Sequence, residues 1–245
     1  MSPLQALKEL LNDRLSDPNG KAIQVTGLKG LTMQEIDELK KLLPGKGMPD
    51  EIVELLRFSS GFKFDFFDEV SFINADTFNL EAFFPNVVEL AGDGAGNFWL
   101  LDIDYEGNWG PVYYACHDPA VIMKQAENLT DFIRQVHDWA KQGDDARFFD
   151  LCEHAIFKIN KLRGGGFIST EVAKASNDAV LREFAATLPP EYLVADLRNK
   201  PVGSGFAWGK YYSVQDRDIR CKDLPLWGLK PKQPRGLWAR LFGRK

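Results

Sequence analysis

The sequence predicts an α+β fold, in which a mixed, largely antiparallel sheet packs against helices and a C-terminal α/β extension follows. Segments with helical apolar spacing fill the first quarter of the chain, a series of short aromatic-rich segments follows, and another helical segment closes the series. Helices, then strands joined by short turns, then a helix is the α+β order. We divide the chain into residues 1–145, a first domain, and residues 146–245, an extension or small second domain.

Three helices are predicted before the first strand. The first begins after Ser2, ends at "SDPNG", and places four leucines on one face: Leu4, Leu7, Leu11 and Leu15. The second begins where Thr32 and Glu35 form a capping box. The third has Pro49 in its first turn, and Gly61 is expected to end it.

Four strands are predicted next, in "FKFDFFDEVSFINADTF", "NVVELAGD", "NFWLLDID" and "GPVYYACHD". The turns "GDGAG" and "YEGNWG" are short, which favours antiparallel neighbours. The helix "NLTDFIRQVHDWAKQG" closes the first domain. Beyond it we predict a helix in "RFFDLCEHAIFKINKL", a break at "RGGG", one helix in "TEVAKASNDAVLREFAATL", and strands in "YLVADL" and "GFAWGKYYSV".

Composition predicts a cytoplasmic globular protein. With 245 residues and 44% hydrophobic content, the chain can bury one large core or two modest ones. It has no apolar run near the about 18 residues that a membrane-spanning helix needs, and its N-terminus lacks the pattern of a signal peptide. Cys116, Cys152 and Cys221 are odd in number and far apart, so we expect three free thiols in a reducing compartment.

Charge is distributed unevenly along the chain. Residues 1–150 carry 13 Lys and Arg against 26 Asp and Glu, net −13, while residues 151–245 carry 17 against 9, net +8. Such an asymmetry indicates a steering field for an oppositely charged partner, two halves that attract each other, or an ordinary solvated acidic surface.

The loop "GDGAGNFWLLD" determines whether the chain is interpreted as an enzyme or a binding module. A dinucleotide loop needs a third glycine and a following helix, but here Asn97 takes that position and a strand follows. The loop also fails the P-loop and EF-hand patterns. It is therefore predicted to be a turn: Gly92, Gly94 and Gly96 permit positive φ, Asp93 and Asn97 bond nearby backbone, and no cofactor is expected.

These residues resemble the core signature of the SUKH superfamily. Its members typically show Gly-Asp-Gly, Gly-Asn, a strand, a strand ending in His-Asp, and a late helix with Phe; "GDGAGNFWLLDI", "GPVYYACHD" and "LTDFIRQV" are similar. The segment "LTMQEIDELKKLLPGKGMPDEIVELLRFSSGF" resembles the opening helical pair, with Met48 for Leu, Ser60 for Asn and Lys40 for an acidic residue. The resemblance covers residues 28–143.

The resemblance implies a non-catalytic immunity protein that binds and neutralises a bacterial toxin, often a nuclease. A basic toxin would suit the acidic first half, because an acidic inhibitor is steered to a basic partner; direct nucleic-acid binding is not expected. The alternatives are a regulatory module of the cell-wall-assembly type, which fungal relatives represent, and an unrecognised enzyme. A toxin gene next to this one would distinguish them.

Candidate partner-binding residues come from the loop and the strands on either side of it: Asp93, Asn97, Asp102, Asp104, Glu106, His117 and Asp118. The acidic residues of "DIDYE" alternate, which places them on one presumed strand face, typical of a solvated or partner-facing edge. A zinc site is not expected, because Cys116 and His117 diverge on a strand and Cys152 and His154 diverge on a helix.

The end of the chain, "LKPKQPRGLWARLFGRK", has six basic residues and no acidic one after Leu229. Leu237 with Leu241 and Trp238 with Phe242 are i, i+4 pairs that form a short apolar face. This tail suits weak contact with an anionic membrane surface, but we favour docking on the protein's own acidic half, with Trp238 shielded from solvent.

Overall fold

The computed structural model describes residues 1–16, 20–45, 47–64, 67–75, 80–211, 219–222 and 224–231. Its helices and antiparallel sheets confirm the α+β fold class. The predicted docking of the tail at Trp238 concerns residues that lie outside this description. Within the described ranges, no helix is long and apolar enough to cross a membrane.

The three N-terminal helices begin where the sequence predicts. They are α1 (Pro3–Asn12), α2 (Met33–Leu42) and α3 (Asp50–Phe58). Ser2 caps α1, Thr32 and Glu35 form the expected capping box of α2, and Pro49 immediately precedes α3. The prediction for α1 was wrong at its end, since the helix stops at Asn12 and Leu15 lies in the following strand.

Two small antiparallel sheets accompany these helices. One pairs β1 (Leu15–Ser16) with β2 (Ala22–Ile23), and the other orders β3 (Val25–Gly27), β4 (Gly61–Phe64) and β5 (Phe67–Ser71) in sequence. Gly61 begins β4 rather than ending α3. A side chain there would collide with the carbonyl oxygen of Val70 on β5, so the glycine allows close strand pairing.

A five-stranded antiparallel sheet forms the centre. Its strands are β6 (Val87–Gly92), β7 (Phe98–Ile103), β8 (Trp109–His117), β9 (Ala120–Ala126) and β12 (Gly205–Phe206), in the order β12-β9-β8-β7-β6. The meander β6-β7-β8 confirms the predicted antiparallel neighbours. Sequence reasoning missed β9, which pairs with β8 after the turn at Asp118 and Pro119.

Helix α4 (Leu129–Gln142) covers one face of this sheet. Asn128 caps its start and Gly143, at φ +61°, ends it as predicted. The core on this side joins α1, α3 and α4 to the sheet through fully buried side chains such as Leu7, Leu56 and Phe132.

The C-terminal residues begin with one continuous helix. It consists of α5 (Arg147–Asp150), a π-helical turn (Leu151–Ala155) and α6 (Ile156–Lys161). A four-stranded sheet follows, with β10 (Ile168–Ser169), β11 (Leu193–Asp196), β13 (Ile219–Arg220) and β14 (Leu226–Leu229) in the order β10-β11-β14-β13.

Two details of the extension differ from the sequence prediction. The segment predicted as one helix forms α7 (Thr170–Lys174) and α8 (Ala179–Thr187), because Asp178 caps a new helix. The segment predicted as one strand, "GFAWGKYYSV", gives β12 and then the helix α9 (Trp208–Tyr211).

The extension covers the second face of the central sheet. Tyr113 and Ile122 on that face form a core with Phe206, Trp227 and Leu229 from the extension, and all five side chains are fully buried. Strand β12 also pairs directly with β9. Both faces of the central sheet are therefore covered by the chain itself.

Candidate partner-binding site

The β6–β7 loop is organised by the carboxylate of Asp93. Its Oδ1 accepts hydrogen bonds from the backbone N–H of Ala95 (2.8 Å) and of Asn97 (3.1 Å), and its Oδ2 accepts from Asn97 Nδ2 (2.5 Å). The backbone N–H of Asp93 in turn donates to the carbonyl of Asn97 (3.1 Å). These bonds fix the loop as a tight turn that connects two strands, as the sequence predicts.

Glycines complete this turn. Gly94 has φ +74° and Gly96 has φ +90°, a region that other residues rarely adopt. Gly92 has no positive φ, so its role differs from the one predicted. A Cβ on Gly96 would lie 3.5 Å from the ring of His117, an ordinary contact, so the constraint at Gly96 comes from the backbone angle.

Asn97 orients His117, the last residue of β8. Asn97 Nδ2 donates to Asp93, so its Oδ1 faces His117, where it accepts from the backbone N–H (2.9 Å) and lies 2.9 Å from Nδ1. An amide oxygen can only accept, so Nδ1 carries the hydrogen. Asn97 is 8% exposed, whereas His117 is exposed. The imidazole is held at the surface with Nδ1 directed at Asn97.

Asp93 remains ionised to lower pH than an ordinary Asp. Partial burial raises its pKa, but the hydrogen bonds from Asn97, from the backbone of Ala95 and from the hydroxyl of Tyr114 (3.2 Å) together lower it below the usual 3.8. Burial, followed by nearby acidic groups, raises the pKa of Tyr114, so its hydroxyl stays a donor. Sequence reasoning missed Tyr114, which lies 21 positions from Asp93.

Asp104 and Glu106 lie at the opposite end of the sheet. The prediction that they share a strand face with Asp102 was wrong, because β7 ends at Ile103 and both residues belong to the β7–β8 loop. The loops before and after β7 lie at opposite ends of this six-residue strand, roughly 20 Å apart at the usual rise per residue. The predicted residues therefore do not form one surface.

The β7–β8 loop repeats the hydrogen bonds of the β6–β7 loop. Asp104 Oδ1 accepts from the backbone N–H of Glu106 (3.0 Å) and Asn108 (2.8 Å), and Oδ2 accepts from Asn108 Nδ2 (2.8 Å). Gly107, like Gly96, has φ +90°. Both loops share the sequence Asp-x-x-Gly-Asn, a signal that is visible in the sequence but was not recognised.

Asp102 is buried rather than placed on a partner-facing edge. Its carboxylate accepts two hydrogen bonds from Arg220, Nη1 to Oδ1 (2.7 Å) and Nη2 to Oδ2 (2.5 Å), and both side chains are 8% exposed. Arg220 Nη1 also donates to the carbonyl of Phe83 (3.1 Å), and its guanidinium lies 5.4 Å from the Trp227 ring centroid. This ion pair joins the extension to the central sheet, which excludes Asp102 from a surface site.

Cys116 and Cys152 do not provide a nucleophile. Cys116 points into the core while His117 is exposed, which confirms that the two side chains diverge. Burial raises the pKa of Cys116 to about 11 and also raises that of Cys152. Because the thiolate is the reactive form, both thiols are inert near neutral pH. Among the described residues, no group of His, Cys, Asp and Glu side chains is arranged to hold a metal ion.

One end of the central sheet thus collects four of the seven candidates: Asp93, Asn97, His117 and Asp118. Asp93 and Asn97 shape the loop, while His117 and Asp118 are exposed beside it. We call this group the loop end. Its exposed groups include the imidazole of His117 and the carboxylate of Asp118, and a carboxylate suits contact with cationic side chains.

The fold and this site define an α+β domain whose antiparallel sheet carries a hydrogen-bonded loop at each end. Within it, residues 30–135 match the model of the SMI1 / KNR4 family (SUKH-1). The match confirms the resemblance to the SUKH superfamily over these residues. It includes the loop end and excludes the extension after α4. No curated protein and no solved structure matched the chain.

Proposed function

We propose that the protein is a non-catalytic immunity protein that binds and neutralises a basic cognate toxin. The match of residues 30–135 to the SMI1 / KNR4 family supports this, because SUKH domains generally bind partner proteins. The net charge of −13 over residues 1–150 favours a basic partner, since complementary potentials accelerate encounter.

The loop end is the proposed contact surface. His117 and Asp118 are exposed, and the bonds among Asp93, Asn97 and Tyr114 order the loop before any partner arrives. A surface already ordered in the free protein loses little conformational entropy on binding, which benefits affinity. The two faces of the central sheet are covered by the chain itself and are not accessible to a partner.

Neutralisation is tested by co-expression with the product of an adjacent toxin gene and by titration of the two purified proteins. We expect restored growth and a stoichiometric complex without substrate turnover. If the purified protein leaves the toxin unbound and fully active, the proposal fails.

The two ends of the sheet can be compared directly by matched charge reversals. Asp118→Lys changes the loop end, whereas Glu106→Lys makes the same change on the exposed β7–β8 loop. We expect Asp118→Lys to weaken toxin binding about tenfold or more and to slow association, because it opposes a basic partner. Glu106→Lys serves as the control. A larger loss from Glu106→Lys would assign the contact to the opposite end.

A further inference from the structure

The helix formed by α5, the π-helical turn and α6 has an outer stripe that covers nothing in the described structure. Its inner side is buried against the sheet and α4 through side chains such as Phe148, Cys152 and Ile159. The outer stripe consists of exposed side chains, each with a neighbour three or four positions away: Arg147, Asp150, Glu153, His154, Phe157, Lys158 and Lys161. At 15 residues, Arg147 to Lys161, the helix extends roughly 22 Å.

Apolar side chains lie exposed on this stripe and at its end. Phe157 is 45% exposed in the middle, and Leu162, 51% exposed, follows the last turn. Phe149, which is half-buried, lies at the other end, where its ring centroid is 6.4 Å from that of His154. Single exposed apolar residues are common on proteins, but these alternate with charges along one helix.

The charges divide the stripe into two halves. In its first half Asp150 and Glu153 outnumber Arg147, so that half is net acidic, and Lys158 and Lys161 make its second half basic. Within the described ranges, Glu153, Lys158 and Lys161 have no side-chain ion pair or hydrogen bond, and Asp150 contacts only the ring of His154, at 3.5 Å. Acidic residues early and basic residues late also suit the helix dipole, but the dipole gives no reason for exposing Phe157.

A two-fold rotation about the middle of the helix makes this stripe complementary to itself. If the axis passes between Ala155 and Ile156, residues whose numbers add to the same total lie at the same height along the two helices. Asp150 is then level with Lys161 of the second copy, Glu153 with Lys158, and His154 with Phe157. The net acidic half of each stripe therefore lies over the basic half of the other, with Phe157 near the middle of the contact.

We propose that this stripe is a self-association surface, on which a second copy of the chain docks its own stripe in antiparallel orientation. Isologous two-fold contacts require a surface of this self-complementary kind. Because a single helix pair buries less area than a standard interface, the dimer is expected to be weak and to dissociate on dilution and in high salt. The residues involved lie outside the match at 30–135, so the surface is a feature of the extension.

Sedimentation velocity of the full chain over a dilution series tests the proposal. The wild-type protein should shift from monomer to dimer as concentration rises, less so in high salt. The double variant Lys158→Glu with Lys161→Glu and the double variant Asp150→Lys with Glu153→Lys should each remain monomeric, because like charges then face each other. A wild-type protein that stays monomeric up to its solubility limit overturns the proposal.

Mixing the two double variants provides the decisive comparison. One stripe is then net acidic in both halves and the other wholly basic, so a heterodimer should form although neither variant associates alone. A helix that had merely been destabilised would not regain association on mixing. Val172→Glu, on α7 at a 59% exposed position away from the stripe, is the control and should dimerise like wild type. If the mixture stays monomeric, or if Val172→Glu also abolishes the dimer, the stripe is not the contact.

Discussion

Single side chains at the loop end serve shape more than contact. Asp93 accepts hydrogen bonds from two backbone groups, one amide and one hydroxyl, and Asn97 connects that carboxylate to His117. Sequence reasoning anticipated the backbone bonds of these two residues from their turn propensity. It could not anticipate the link to Tyr114 or His117, because both lie on another strand and only the sheet register brings them close.

The backbone of Gly96 gives a stability prediction. Gly96→Ala should lower the free energy of unfolding by about 1–2 kcal/mol, because the loop requires φ +90° at this position. Gly92→Ala is the matched control, since Gly92 lies at the edge of the same loop without a positive φ and a Cβ there makes ordinary contacts. Urea unfolding of both variants measures the difference. Equal stability would show that Gly96 serves something other than backbone geometry.

Asp93 gives a prediction for pH dependence. The pKa of Asp93 is lower in the folded protein than the 3.8 of the unfolded chain, so its carboxylate contributes fully to stability above about pH 3.8. This contribution is lost as the pH falls through the pKa of the folded state. Asp93→Asn should therefore have a lower free energy of unfolding than wild type at neutral pH, and this difference should become smaller at acidic pH. Urea unfolding at a series of pH values, with the exposed Asp118→Asn as control, measures the gap. A gap that stays constant with pH would contradict the role of the charge.

At the level of elements, the sequence predicts helices better than strands. Helix α4 begins and ends as predicted because a cap, a 3.6-residue apolar period and a terminal glycine coincide. Strand β9 was missed because both faces of the sheet are covered, so "AVIMKQA" is buried almost throughout and lacks the alternation that signals a half-buried strand. The extension buries the face of β9 that would otherwise carry polar side chains. No local sequence pattern indicates that the extension packs there.

At the level of the whole molecule, the extension and the first 145 residues share a buried core. The ion pair between Asp102 and Arg220 spans 118 positions of the chain, and the Nε1–H of Trp227 donates to the carbonyl of Phe83 (2.9 Å) beside it. Sequence alone left open whether residues 146–245 are a second domain. The shared core favours an elaboration of the first domain, and one cooperative unfolding transition is the expected behaviour.

Breaking this ion pair tests that expectation. Asp102→Ala or Arg220→Ala alone should cost about 3–5 kcal/mol, because each leaves a buried charge without its partner. The double variant should cost clearly less than the two single losses together, and the unfolding transition should remain single in all three. A double-mutant cycle by urea unfolding measures the coupling. Additive losses, or a separate early transition, would indicate that the extension folds independently.

The two Asp-x-x-Gly-Asn loops separate the residues that hold a shape from those that are free to vary. In each, the first, fourth and fifth residues form the frame, whereas the tips at Ala95 and Glu106 are exposed. Only the backbone N–H of Ala95 and Glu106 is used by the frame. New side chains can therefore be introduced at these tips without rebuilding the turn, much as antibodies diversify loops on a constant scaffold. A few substitutions at these tips could therefore change which partner the same sheet contacts.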